Sequence, residues 1–172
     1  MKSWTTTVVR FLAVLGLSLA WTAFGAEAVG TKLPSKFSLK GISGKTLSQA
    51  DFKSDVTVVQ FWASWCFSCS TTMRDLSKWS NGKRGVKFVQ VSVDEKMSDA
   101  EAYFDGKNAS LGYLKKTAFL DPEGKVAAKL GIQSIPTVLV FGKDGVILKT
   151  IVGHPNSNDL KDFDRLVSKT QG

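Results

Sequence analysis

With 172 residues, 43% of them apolar and 10% aromatic, the chain is long enough to bury one proper core and too rich in core formers for a disordered polymer. Its formal charge of +8 comes from scattered lysines and arginines without aromatic–basic interleaving, which reads as a solvated basic surface and excludes nucleic acid as a partner. Two cysteines and one histidine cannot supply the four ligands of a structural zinc site.

The N-terminus stands apart from the rest. Lys2 and Arg10 flank a polar start, Phe11 to Phe24 is a nearly unbroken apolar run, and small residues follow at Ala23-Phe24-Gly25 and Ala26-Glu27-Ala28. That order is the one a secretory signal peptide shows, here expected over residues 1–28. An uncleaved membrane anchor is the alternative, but Arg10 and Glu27 bracket only 16 residues, short of the roughly 20 a spanning helix needs. A periplasmic or other extracytoplasmic location is therefore expected, with membrane attachment only if the segment stays. Its removal takes Lys2, Arg10 and Glu27, lowering the charge from +8 to +7.

Along the mature chain, Phe37 and Leu39 alternate before Gly41 and Gly44, and Lys45-Thr46-Leu47 returns, which predicts a small β-hairpin. Ser48 to Phe52 reads as one helical turn capped by Ser48. Val56 to Phe61 is apolar at nearly every position, as in a strand covered on both faces; Gln60 is the exception. After Cys66 a helix is expected to about Trp79, stopped by Asn81-Gly82. Val86 to Val93 alternates as a second strand, and a strand–helix–strand succession favours parallel pairing. Ser98-Asp99-Ala100-Glu101 looks like a capping box opening a helix that ends near Gly106, and Asn108 to Lys116 reads as loop with a short turn. Phe119-Leu120 predicts a short strand, Asp121 to Gly124 a turn, and Val126 to Leu130 a short helix closed by Gly131. Pro136 cannot donate to a ladder, so it is placed at the first residue of the strand that runs on to Phe141. Asp144-Gly145 then turns the chain into an antiparallel strand, Val146 to Val152. Gly153 to Asn158 reads as loop, and Leu160, Phe163, Leu166 and Val167 lay an apolar stripe on a last helix.

Chemistry concentrates in Val56 to Cys69, where the buried strand hands over to a helix and Cys66-Phe67-Ser68-Cys69 stands at the junction. The first N–H groups of a helix lack acceptors and carry partial positive charge, so a thiolate placed there is stabilised and becomes a usable nucleophile. In an exported protein a cysteine pair can instead be a passive staple. A disulfide closing so small a loop removes little chain entropy, which favours a redox pair over a staple.

Phe61-Trp62-Ala63-Ser64-Trp65-Cys66-Phe67-Ser68-Cys69 resembles the FWAxWCxxC signature of thioredoxins, Ile135-Pro136-Thr137 their cis-proline loop, and Lys143-Asp144-Gly145 their closing hairpin. The stretch containing Phe119 to Gly124 resembles the central insertion of exported TlpA/ResA-like thiol–disulfide oxidoreductases. The resemblance implies an α/β thioredoxin-like fold over residues 33–172, a central mixed sheet flanked by helices with an N-terminal β-hairpin and a central insertion. It further implies that Cys66 is the attacking thiolate, that Cys69 is the deeper resolving thiol, and that Pro136 is cis, bringing the Ile135 backbone beside the sulfurs. Trp65, Phe67 and Ser68 would flank the site, and no cofactor is implied. Relatives of this kind mostly reduce client disulfides in cytochrome c maturation or copper-site assembly and draw electrons from a membrane thiol–disulfide transporter.

Three positions depart from the pattern. Gln60 stands where thioredoxins bury an aspartate, Thr72 stands where TlpA/ResA-like proteins usually place a glutamate, and Phe67-Ser68 lacks the usual proline. With neither carboxylate, water or another group must carry the proton of the resolving thiol. A non-catalytic copper-binding or assembly module, using Cys66, Cys69 and His154, is therefore a second reading. A thiol peroxidase is disfavoured: Val59 and Ala63 occupy the places of the proline and threonine that precede a peroxiredoxin's cysteine.

Overall fold

The computed structural model describes residues 29–172, so the expected signal segment, residues 1–28, lies outside the described residues. β1 (Leu39–Gly41) and β2 (Thr46–Leu47) form the N-terminal hairpin, with Leu39 opposite Leu47. A 3-10 turn at Gln49–Asp51 follows, closed by a capping box in which Ser48 N–H donates to Asp51 at 2.8 Å. Then come β3 (Val56–Trp62), α1 (Cys69–Ser80), β4 (Val86–Ser92) and α2 (Met97–Asp105). A 3-10 segment, Ala109–Thr117, leads into β5 (Ala118–Leu120) and α3 (Lys125–Lys129). β6 (Thr137–Gly142), β7 (Ile147–Val152) and α4 (Ser157–Gln171) complete the chain.

The strands form one seven-stranded sheet in the order β2-β1-β5-β4-β3-β6-β7. β3, β4 and β5 run parallel, as βαβ connections require, and every other pairing is antiparallel, so the sheet is mixed. β3 lies well inside it, buried at all of its positions, which accounts for its apolar composition.

Side chains alternate across a strand, so β3 serves two cores. Val56, Val58 and Trp62 join Met73 and Leu76 of α1, Tyr103 and Phe104 of α2, and Phe163 of α4 on one face. Val59 and Phe61 join Leu33, Leu39, Phe52, Val126, Leu130 and Phe141 on the other. Parity places Gln60 on the first face, among Val58 and Trp62 and beneath α1.

Several boundaries differ from expectation. The second long helix starts at Met97, with Lys96 at its cap, so Ser98 lies inside it and forms no capping box. In place of the expected loop with a short turn over Asn108 to Lys116, Ala109–Thr117 is a 3-10 segment, closed onto the core by Leu111 and Leu114. Pro136 immediately precedes β6 instead of opening it. The last helix begins at Ser157 inside the expected loop, because Asn156 caps it: the Asn156 side chain accepts from Asn158 N–H at 2.8 Å and Asp159 N–H at 3.2 Å.

Asp159 completes that cap by accepting from Asn156 N–H at 3.0 Å, with Lys149 Nζ 3.1 Å away. Burial works against its charge, but the Asn156 hydrogen bond and Lys149 outweigh burial and hold the carboxyl below its ordinary value. A depressed carboxyl contributes stability above its unfolded value of about 4, and that contribution is lost as pH falls through the folded value. Asn156→Ala is expected to cost about 1 kcal/mol at neutral pH, read as a lower urea midpoint with an unchanged slope.

Candidate active site

β3 leaves the sheet at Trp62, and the next residues turn sharply: Cys66 N–H donates to Ala63 C=O at 3.0 Å. The turn is pinned from the neighbouring strand. Asp94, just past β4 and buried, accepts Ser64 N–H at 2.9 Å, Ser64 Oγ at 2.8 Å and Ser92 Oγ at 2.6 Å. Three donors to one buried carboxylate keep its charge solvated and hold the loop that carries Trp65 and Cys66.

Cys66 and Cys69 are joined by a disulfide with an S–S distance of 2.04 Å. Cys66 retains 7% of its surface and Cys69 none, so an incoming group meets the Cys66 sulfur first. The helix begins after Cys66, as expected: Ser68 is the cap and Cys69 the first helical residue, with Cys66 in the preceding turn. Ser68 makes no capping bond with its side chain, and its Oγ lies 3.9 Å from Cys66 Sγ. No side chain caps the first turn of α1 beside the sulfurs; the Cys69 N–H donates instead to Cys66 C=O at 3.3 Å.

Trp65 and Phe67 project from the same turn, 72% and 98% exposed. Two large aromatic side chains are thus left bare on either side of Cys66 in the chain. Trp62, by contrast, is wholly buried against Tyr103 and Phe104, with ring centroids 4.7 and 5.3 Å away.

The Ile135–Pro136 bond is cis. Pro136 sits at the amino end of β6, and the register that sets Thr137 opposite Phe61 brings it to the edge where β3 gives way to the cysteine turn. Its carbonyl accepts from Gly153 N–H at 2.7 Å, tying this loop to the one that carries His154.

Of the three departures from the resembled pattern, Gln60 and Thr72 are both buried and both engaged. Gln60 Nε2 donates to the Cys69 carbonyl at 3.1 Å, while its Oε1 has no partner. Thr72 Oγ1 lies 3.4 Å from Ser68 C=O and 3.1 Å from His154 Nδ1. His154 Nε2 in turn faces Asp75 Oδ2 at 3.4 Å. Among the described residues no group of three His, Cys, Asp or Glu side chains is arranged to hold a metal ion, so His154 is not gathered with Cys66 and Cys69. Its ring is engaged by Thr72 and Asp75 instead.

Sequence reasoning missed Asp94 and Asp75. A carboxylate at the carboxyl end of the strand beside β3 is a signal for the first, since sites in such sheets form there. Asp75 carried no signal, because its partner is remote in the chain.

A model of the AhpC/TSA family matches residues 29–150. The chain is 27% identical over 157 residues to the sporulation thiol-disulfide oxidoreductase A of Bacillus subtilis, covering 89% of this chain and 93% of that protein. It is 25% identical over 162 residues to the thiol-disulfide oxidoreductase ResA of Geobacillus thermodenitrificans, covering 91% and 90% respectively. Among solved structures, one described as a thiol:disulfide interchange protein DsbE from Chlorobium tepidum superposes with a TM-score of 0.64 at 26% identity, over 84% of this chain and 98% of that one. Together with the sheet order and the cysteine turn, these matches place the chain, on its thioredoxin-like fold, in the AhpC/TSA family.

Proposed function

We propose that this thiol–disulfide oxidoreductase is exported and reduces the disulfides of extracytoplasmic client proteins, of the type met in cytochrome c maturation or metal-site assembly. Residues 1–28 serve as the signal peptide, and residues 33–172 form the working domain. The Cys66 thiolate attacks a client disulfide, forming a Cys66–client bond and releasing one client thiolate. Cys69 then attacks the Cys66 sulfur, closing the Cys66–Cys69 disulfide and releasing the second client thiolate. Two electrons pass to the client, and a membrane thiol–disulfide transporter returns two to the protein.

The observation that carries this reading is the asymmetry of the pair. One sulfur is accessible and the other sealed beneath it, at a turn rimmed by the bare rings of Trp65 and Phe67. A staple needs no such asymmetry, and exposed aromatics are suited to holding a client segment while its disulfide is exchanged. In this reading Ile135 and Pro136 present backbone to the client, and Ser68 lies beside the attacking sulfur. The names carried by the relatives agree with the chemistry.

The test is production of the full chain in a bacterial host. The mature mass should show loss of about the first 28 residues, in line with the cleavage rule, in an extracytoplasmic fraction. The reduced product should turn over insulin or glutathione disulfide. An unprocessed protein held in the cytoplasm would defeat the export claim, and absence of turnover the reductase claim.

A further inference from the structure

Resolution of the mixed disulfide requires Cys69 to lose a proton at a position with no exposed surface. A buried thiol resists ionisation because the thiolate forfeits its hydration. Gln60 offers no base there: its nitrogen is committed to the Cys69 carbonyl, and its oxygen is that of an amide. Thr72 is no base either, but its hydroxyl leads to one, since His154 Nδ1 lies 3.1 Å away.

The other ring nitrogen fixes how His154 is used. Nε2 faces the Asp75 carboxylate at 3.4 Å, and an ionised carboxylate only accepts. With the ring proton on Nε2, toward the carboxylate, the Nδ1 lone pair faces the Thr72 hydroxyl, whose single proton has two acceptors within reach, His154 Nδ1 at 3.1 Å and Ser68 C=O at 3.4 Å. Thr72 follows Cys69 by three residues on α1, and both are wholly buried, so they share one helix face a turn apart. His154 is 41% exposed by its side chain. Thr72, one turn from Cys69 on this buried face, thus meets a histidine that reaches solvent.

We propose that His154, oriented by Asp75 and reached through the Thr72 hydroxyl, accepts the proton of Cys69 during resolution and so replaces the carboxylate that this chain lacks. The inference rests on the exchange mechanism given under the proposed function. The Cys69 thiol gives its proton to the Thr72 hydroxyl, directly or over one water, as the hydroxyl proton moves to His154 Nδ1. The Cys69 thiolate attacks the Cys66 sulfur; the Cys66–Cys69 bond forms, the Cys66–client bond breaks, and the client thiolate leaves with the electron pair and takes a proton from solvent. His154 then returns its proton to water. On α1, Asp75 is the charged group that faces the ring. At the start of α4, Asp159 is engaged by Lys149 and Asn156, and residues 133–137 of the proline loop contain no titratable side chain.

The test is a single turnover of the reduced full domain with an aromatic disulfide whose thiolate absorbs visibly, so that Cys66 attack and Cys69 resolution appear as two phases. His154→Gln, at a half-exposed loop position, is expected to slow the second phase at least about tenfold and to remove the bend in its pH profile. Thr72→Val should do the same, Asp75→Asn should shift the bend, and added imidazole should partly restore the rate of His154→Gln. A second phase that keeps both its rate and its bend in His154→Gln and Thr72→Val overturns the relay while leaving the exchange mechanism standing. A slower phase that keeps the bend also overturns it, since that is the mark of a structural role. A wild-type protein with no first phase overturns the exchange mechanism, and the relay with it.

Discussion

Cys66→Ser is expected to abolish reduction of insulin and of glutathione disulfide, whereas Cys69→Ser should stop turnover at a different point. A serine hydroxyl at position 66 is not ionised at neutral pH and is a far poorer nucleophile toward a disulfide sulfur, so no mixed disulfide forms. With Cys69 replaced, Cys66, which keeps a small accessible surface, still attacks, but nothing is positioned to release the client. The Cys69→Ser protein should therefore accumulate one client per molecule, visible as a higher band on a non-reducing gel that collapses with dithiothreitol. Turnover retained in Cys66→Ser, or an adduct on Cys69 instead, would contradict the assigned order. The distinction follows from burial, since Cys66 keeps a small exposed surface and Cys69 none.

Trp62→Ala carries the largest expected cost in stability, about 3–5 kcal/mol by the cost of truncating a buried aromatic. Trp62 ends β3, is wholly buried, and packs on Tyr103 and Phe104, so its removal opens a cavity between the sheet and α2 directly under the cysteine turn. A domain holds only about 5–15 kcal/mol in total, so this one change leaves the protein marginal. Trp62→Phe should cost much less. It retains the ring packing and removes an indole N–H that has no partner in the core. Urea unfolding decides the matter: a loss below about 1 kcal/mol in Trp62→Ala would mean that α2 does not depend on this contact.

What the sequence disclosed follows the range of the interaction concerned. β3 and β6 were readable because an unbroken apolar run has few alternatives to a strand buried on both faces. The hairpin at Gly41 to Gly44 and the turn at Asp144-Gly145 were readable from residues whose backbone freedom acts locally; Gly44 and Gly145 have φ of +78° and +74°. The cysteine pair and Pro136 were readable because both lie at the ends of such strands.

Contacts between distant residues were not readable. Ser64 and Asp94 meet across 30 positions, and Thr72 and His154 across 82. Nothing local in either member of those pairs announces its partner. His154 accordingly read as a bare loop residue or a copper ligand, and Thr72 as a lost carboxylate. The adjacency of α1 to the loop after β7 turns those two unrelated oddities into one hydrogen-bonded set. The helix starts were missed for a different reason. Asn156 and Ser98 are both good caps by composition, yet Asn156 caps its helix with Asp159 at the third position while Ser98 lies inside one that starts after Lys96.

The central claim, that the Cys66–Cys69 couple works as a reductant, is tested most directly by its equilibrium potential against a glutathione buffer of known ratio. A value near that of thioredoxin, about −270 mV, is the result the account predicts; one near that of a strong oxidant, about −120 mV, would contradict it.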